Sequence, residues 1–198
     1  MPSRFVIWKS RPIPHGCSVT ELHGVERVFL LNKGYSALAS FPKKAEFRFD
    51  PDFPRNTVLA DNLINSEMMI VCSERLKIFL EASLVEKVEY LPVHLKDHKS
   101  KQVAQFYYII HPIEPPDCID FEQSIVEWSG VDKESILLVK KLVIDDSKVE
   151  NNRLLFRPKS FYNITLIDRD LAVAIDGQGV TGVGWIELED YPFPRPRQ

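Results

Sequence analysis

The sequence predicts an α+β fold, a mostly antiparallel sheet with short packed helices. Three features carry that prediction. A strand-helix-strand unit occupies residues 69–92, a second unit of the same pattern lies ninety-five positions later, and pairs of β-prone runs flank polar turns.

The first unit has the clearest internal logic. Residues 69–72 (Met-Ile-Val-Cys) are a short apolar run that reads as a buried strand end. Ser73 then offers a side-chain oxygen to an orphan backbone N–H of a first helical turn, and Glu74 suits the positive end of the helix dipole. Leu76, Phe79, Leu80 and Leu84 follow at helical spacing as one apolar stripe. From Val88 to Val93 the residues are β-rich and include Pro92, so a strand replaces the helix. A shift of ninety-five places Ser73 on Asp168, Leu76 on Leu171, Leu80 on Ile175, Val88 on Val183 and Tyr90 on Trp185 without a gap. Two explanations fit equally: two related strand-helix-strand halves, or the likeness of any capped amphipathic helix that precedes a strand. Either way, helices of two or three turns are marginal alone in water and must be held by packing onto strands.

Composition sets the class. A chain of 198 residues with 44 % hydrophobic and 27 % charged residues is an ordinary soluble globular protein, expected as one domain over 1–198. At this size roughly two-thirds of the unfolded surface is buried without staples. Cys17, Cys72 and Cys118 are odd in number and unrelated in spacing, which argues against a disulfide framework and for a reducing compartment. The first residues lack the apolar stretch of a signal peptide, and no apolar run is long enough to cross a bilayer. A net charge of −3 with no basic stripe argues against nucleic acid. The expectation is a cytoplasmic protein with neither membrane nor nucleic acid as partner.

In chain order, residues 4–9 read as an opening strand, and 10–24, with Pro12, Pro14 and Gly16, as an irregular connection. Residues 25–42 are ambiguous: an apolar run at 28–31, then a turn at 32–34. Residues 46–50 alternate as a half-buried strand. Runs 88–95 and 105–110 form an antiparallel hairpin across the basic turn 96–102. The Pro-rich stretch 111–120 can hold neither a helix nor a central strand. A third β run at 136–144 is expected to make a second hairpin with 153–157 across the turn 145–152. The tail 192–198, with proline at alternate positions, favours polyproline II and reads as a terminus that adds nothing to the sheet.

Few residues offer chemistry. Gly177, Gly179 and Gly182 satisfy G-x-G-x-x-G letter by letter, but the motif follows a helix and precedes a strand, the reverse of a dinucleotide site. These glycines are expected to end the helix in left-handed geometry. His94 and His98, with Asp97 between, have a metal-like spacing but lie at a strand end and in a turn, so they read as solvated turn histidines. Asp117, Cys118, Asp120 and Glu122 form the densest acidic group beside a cysteine. Cys118 with His111 as base, or the carboxylates as an acid–base pair, would give a small hydrolase or transferase. The flanking carboxylates would raise the thiol pKa, however, so turn chemistry is favoured, with Asp117 and Asp120 bonding nearby amides. Asn163-Ile-Thr165 matches a glycosylation acceptor, which has no meaning in a cytoplasmic protein. No P-loop, nucleophile elbow or zinc-ligand array is present, so no cofactor, metal or catalytic residue is assigned.

With these residues laid out, the chain resembles the myxobacterial-type immunity proteins of bacterial polymorphic toxin and type VI secretion systems, the family numbered eleven. The likeness rests on landmarks across 47–191: Phe47-Arg-Phe-Asp-Pro-Asp, Leu59-Ala-Asp-Asn, Ile70-Val-Cys-Ser-Glu-Arg-Leu, Val88-Glu-Tyr-Leu-Pro-Val and Asp97-His-Lys. Tyr107-Tyr-Ile-Ile-His-Pro, Asp117-Cys-Ile-Asp120 with Ser124, Leu155-Phe-Arg157 and Gly182-Val-Gly-Trp185 complete the set. Residues 1–46 match poorly. The resemblance implies an inhibitor that binds and neutralises a cognate secreted toxin without catalysis. The acidic loop, with Asp117, Asp120 and Glu122, is the expected contact, since exposed carboxylates suit a basic partner. Self-association through the amino-terminal apolar run is a third reading.

Overall fold

A computed structural model describes residues 3–192, so the tail expected to be polyproline II lies outside the described residues except for Pro192. The strands are β1 (Phe5–Ser10), β2 (Ser18–Val19), β3 (Glu46–Arg48), β4 (Asn62–Asn65), β5 (Ile70–Ser73), β6 (Val88–Lys96), β7 (Tyr107–Pro112), β8 (Ile125–Trp128), β9 (Ile136–Lys141), β10 (Leu155–Phe156), β11 (Leu166–Asp168) and β12 (Val183–Ile186). The helices are a single turn, α1 (Phe29–Asn32), and two longer ones, α2 (Glu74–Ala82) and α3 (Arg169–Gly177). The class is α+β, as the sequence predicts. A six-stranded sheet runs β2-β4-β5-β7-β6-β3, a four-stranded sheet runs β10-β11-β1-β12, and β8-β9 form a separate ribbon. Neighbours are antiparallel except at β2–β4 and β3–β6.

Both strand-helix-strand units form, and their geometry repeats. In each, the helix links two strands that run parallel on either side of one antiparallel strand, β7 in the larger sheet and β1 in the smaller. Ile109 stands opposite Val71 and Leu91, and Ile7 stands opposite Leu166 and Ile186. A shift of ninety-five carries the first flanking pair onto the second, so the two halves share one register. A one-residue slip would turn every buried side chain outward, so an equal register means an equal division between core and surface.

The caps are those expected. Ser73 Oγ accepts from the Leu76 N–H at 3.4 Å, and Asp168 carboxylate oxygen accepts from the N–H groups of Asp170 and Leu171. Leu76 and Leu80 from α2, and Leu171, Ala172 and Ile175 from α3, enter one shared core with Val6, Ile70, Cys72, Ile110 and Ile167. That core draws on both sheets. Leu84 departs from the expected stripe: α2 ends at Ala82, Leu84 adopts φ 51°, and 80 % of it is exposed. The Ser83 hydroxyl, which donates back to the Phe79 carbonyl, closes the helix before that turn is reached.

The first expected hairpin is present, from Val88 opposite Pro112 to Val93 opposite Tyr107. The second is not. β9 pairs with β8, while β10 pairs with β11 in the smaller sheet. Closing β9 onto β8 needs only residues 129–135, a shorter and entropically cheaper loop than 142–154. The latter stretch is also occupied by a 3₁₀ turn, Asp146–Lys148, capped by Asp145.

Among the buried polar groups, Arg157 fixes the way these layers meet. It is 4 % exposed, and its guanidinium donates to Asn32 Oδ1 (2.6 Å), the Tyr162 carbonyl (3.1 Å) and the Met68 carbonyl (2.9 Å). It has no carboxylate partner among the described residues, and burial pushes its pKa down to about 10. One cation therefore ties α1, the β4–β5 turn and the segment before β11 through neutral oxygens alone.

Candidate functional site

The acidic loop enters the structure as a bend between β7 and β8, closed by turn hydrogen bonds. Asp120 accepts from the backbone N–H groups of Glu122 (3.0 Å) and Gln123 (3.1 Å), and from Gln123 Nε2 (2.6 Å). Those bonds hold its carboxyl below the usual range, the Gln123 side chain contributing most. Asp117 does otherwise than expected: its side chain is 67 % exposed and meets Lys159 Nζ at 3.7 Å rather than backbone amides. Glu122 is exposed and makes no ion pair among the described residues. Of the three residues expected to touch a partner, two therefore lie open to solvent, and the third shapes the turn that presents them.

The same geometry dismantles the constellation imagined around Cys118. The thiol is fully buried among Ile119, Ile136, Val139 and Phe156, and burial together with Asp117 and Asp146 pushes its pKa up to about 12. His111, the candidate base, sits in β7 with Nε2 2.8 Å from the Tyr35 carbonyl and 4.0 Å from Glu89. An open cleft of about 280 Å³ beside the loop is lined by Asp117 with Lys87, Glu114, Lys148, Glu150 and Arg153. Cys118, Asp120 and His111 do not line it, so nucleophile, base and carboxylates are not brought together. Cys17 and Cys72 are likewise free and buried, and burial raises both.

The histidine pair is bound to the chain itself. His94 Nε2 lies 3.2 Å from the Lys43 carbonyl and its Nδ1 3.1 Å from Gln102 Nε2. His98 Nε2 lies 3.2 Å from the Asn56 carbonyl, with its ring edge-on to Phe49 at 5.3 Å, so it is half-buried rather than solvated as expected. Asp97 between them accepts from the amides of Lys99 and Lys101 and shapes the basic turn.

The three glycines of the G-x-G-x-x-G match have separate structural duties. Gly177 is the last residue of α3, and Gly179 follows the cap with φ +62°. Gly182 has φ +80° and lies so close to β4 that a Cβ would overlap the Asn62 carbonyl and come within 2.9 Å of Ala60 Cβ. Its own carbonyl accepts from Arg11 N–H (2.9 Å) and Asn62 Nδ2 (2.9 Å). Next to it, Thr181 donates through N–H (2.9 Å) and Oγ1 (3.1 Å) to Asp61 Oδ2, while Ser73 Oγ donates to Asp61 Oδ1 at 2.7 Å. The motif is a joint between the two sheets, not a phosphate cradle.

Sequence reasoning missed the β8–β9 ribbon. Val126, Ile136 and Val139 face the core, yet Phe121 and Trp128 stay on the surface with ring centroids 5.4 Å apart, and Ile125 and Leu137 are exposed. The signal lay in the β-prone residues of Ile125-Val-Glu-Trp128 before the Ser129-Gly130 turn.

Residues 10–190 match the family model described as Immunity protein family (Imm11). The chain belongs to this immunity protein family. The Imm11 match starts well before Phe47, so it takes in most of the region where the landmarks were poor. No curated protein matches the chain. Membership points to an immunity function and, in general terms, to a toxin as partner. Among the described residues, no helix of this Imm11 protein is long and apolar enough to cross a membrane.

Proposed function

We propose that this protein binds and neutralises a cognate bacterial toxin by occupying it, without catalysis, in the cytoplasm of the producing cell. The family match over residues 10–190 is the observation that carries the proposal. The surface chemistry supports it. Candidate reacting groups are committed to the fold: Cys118 is buried, Asp120 is bonded to amides, and His111 is bonded to the Tyr35 carbonyl. What remains exposed is the acidic side of the loop, Asp117 and Glu122 presented by the Asp120 turn, which suits a basic toxin surface and speeds encounter with it.

The test is co-expression with the secreted effector encoded beside this chain. Growth should be restored when the chain is present and lost when it is absent. A folded, well-expressed chain that gives no protection would refute the proposal.

A further inference from the structure

Resting on that immunity reading, we infer that the β8–β9 ribbon is the anchoring surface, its exposed Phe121–Trp128 pair seating in an apolar hollow of a cationic partner protein while Glu122 and Glu134 face the basic rim. The ribbon is the one sheet of the described residues that no further strand extends on either edge. A two-stranded hairpin is marginal alone and needs a hydrophobic backing. Val126, Ile136 and Val139 supply it by packing on the core below.

The remaining apolar side chains are not needed for that backing. Phe121, Ile125, Trp128, Val131 and Leu137 are all exposed, Trp128 at 47 % and Val131, at the tip, at 99 %. They make up five of the fifteen exposed large apolar residues described, within residues 121–137 alone. Scattered surface apolars need no explanation, but two exposed aromatic rings in contact, rimmed by polar groups, mark an interface. Aromatic residues are the usual anchors of such interfaces.

Charge selects the occupant. Between Asp117 and Lys141, the loop and both strands of the ribbon, the chain carries six carboxylates against Lys133, Lys140 and Lys141, so this stretch alone holds a net −3, equal to that of the whole protein. Lys159, Lys140 and Lys33 pair with Asp117, Glu127 and Asp132. Asp120, Glu122 and Glu134 make no ion pair among the described residues, and Asp120 is committed to its turn. A second copy docked through the same patch would set these carboxylates against their own kind, so a basic foreign protein is the favoured partner. The two rings, each about half exposed, offer on the order of 200 Å² of the roughly 800 Å² a stable interface covers on each side. The tip valine and the acidic loop extend the contact from there.

The experiment measures binding of the chain to a catalytically disabled form of the effector encoded beside it, by calorimetry and by association kinetics. Phe121→Ala with Trp128→Ala should weaken binding at least a hundredfold with the thermal midpoint held. Glu122→Gln with Glu134→Gln should slow association severalfold at low salt and change dissociation little. Ile78→Ala on the exposed face of α2 should bind as the parent does. A folded double aromatic variant that binds within threefold of the parent overturns the inference and leaves the immunity reading standing. Failure of the parent itself to bind overturns both. Should the aromatic variant unfold, amide exchange of the parent complex decides: protection over residues 121–137 is expected, and none there overturns the inference. A parent dimer that Trp128→Ala dissolves would also overturn it by making the ribbon a self-interface.

Discussion

Alanine placed in turn at Gly177, Gly179 and Gly182 separates a structural joint from a ligand loop, because the three positions differ only in local geometry. Gly177 is helical with nothing within 4 Å of an added Cβ. Alanine there should stabilise the protein by about 0.5 kcal/mol through lost unfolded-state freedom and better helix propensity. Gly179 is also open, but at φ +62°. An L side chain in that region costs roughly 1–2 kcal/mol. Gly182 bears the same conformational cost at φ +80° and adds a collision with the Asn62 carbonyl. Relief of the overlap moves β4 or β12, at roughly 1–3 kcal/mol for overpacking. The bonds from Asn62 Nδ2 and Arg11 N–H to the Gly182 carbonyl are strained as well, at about 1 kcal/mol each. Gly182→Ala should therefore cost about 4–7 kcal/mol in total, some 3 kcal/mol or more beyond Gly179→Ala. Urea unfolding followed by tryptophan fluorescence reads this directly, since Trp8 and Trp185 meet edge to face at 5.2 Å beside the joint. With a slope of about 2 kcal/mol per molar urea, the midpoint should fall by roughly 2–3.5 M for Gly182→Ala and by no more than about 1 M for Gly179→Ala. Equal losses at 179 and 182, or a midpoint raised by dinucleotide, would refute the assignment.

Arg157→Ala should destabilise by about 3–5 kcal/mol, because the Met68 and Tyr162 carbonyls and Asn32 Oδ1 lose a shared donor, while Arg157→Lys should cost less; equal, negligible losses on thermal unfolding would remove Arg157 from its tying role. Stability should fall with acid because burial, outweighing the Tyr35 carbonyl and Glu89 and aided by Arg157, holds His111 below the ordinary histidine value. The folded state resists this proton, so its contribution is whole above about pH 6.5 and is lost as pH drops below that. Burial also works to raise Glu89, but bonds from Ser36, Ala37 and Leu38 win and hold it low, so its share is lost only at more acid pH, below about 4.3. His111→Gln should flatten the stability curve between about pH 6.5 and 5, and a variant curve parallel to the parent's would contradict the burial argument. All three cysteines should resist a thiol reagent at pH 8 until urea unfolds the chain, whereas rapid native-state labelling of Cys118 would restore it as a candidate nucleophile.

How much of this could be read from the chain depends on the range of the interaction. Ser73 and Asp168 were legible as caps because a cap is decided within four residues, and the equal spacing of Leu76 and Leu171 from them predicted both helices. The hairpin of β6 and β7 was legible because its alternation and basic turn are local. The pairing of β9 was not, since it turns on competition between two loops of different length. Leu84 was misread because periodicity does not register where a helix stops, and the Ser83 bond to Phe79 decides that. The duty of Gly182 depends on Asn62, 120 residues away, and no local pattern announces it. The ribbon aromatics were hidden for a related reason: whether Trp128 faces core or solvent is fixed by the bulges in its pairing with β9.

The most direct test of inhibition by occupancy is a titration of the neighbouring effector's toxic activity with the purified chain. Activity should fall in proportion to added chain and vanish at one equivalent, with the chain recovered unchanged in the complex. Loss of activity at a small fraction of an equivalent would mean turnover, and would contradict inhibition by occupancy.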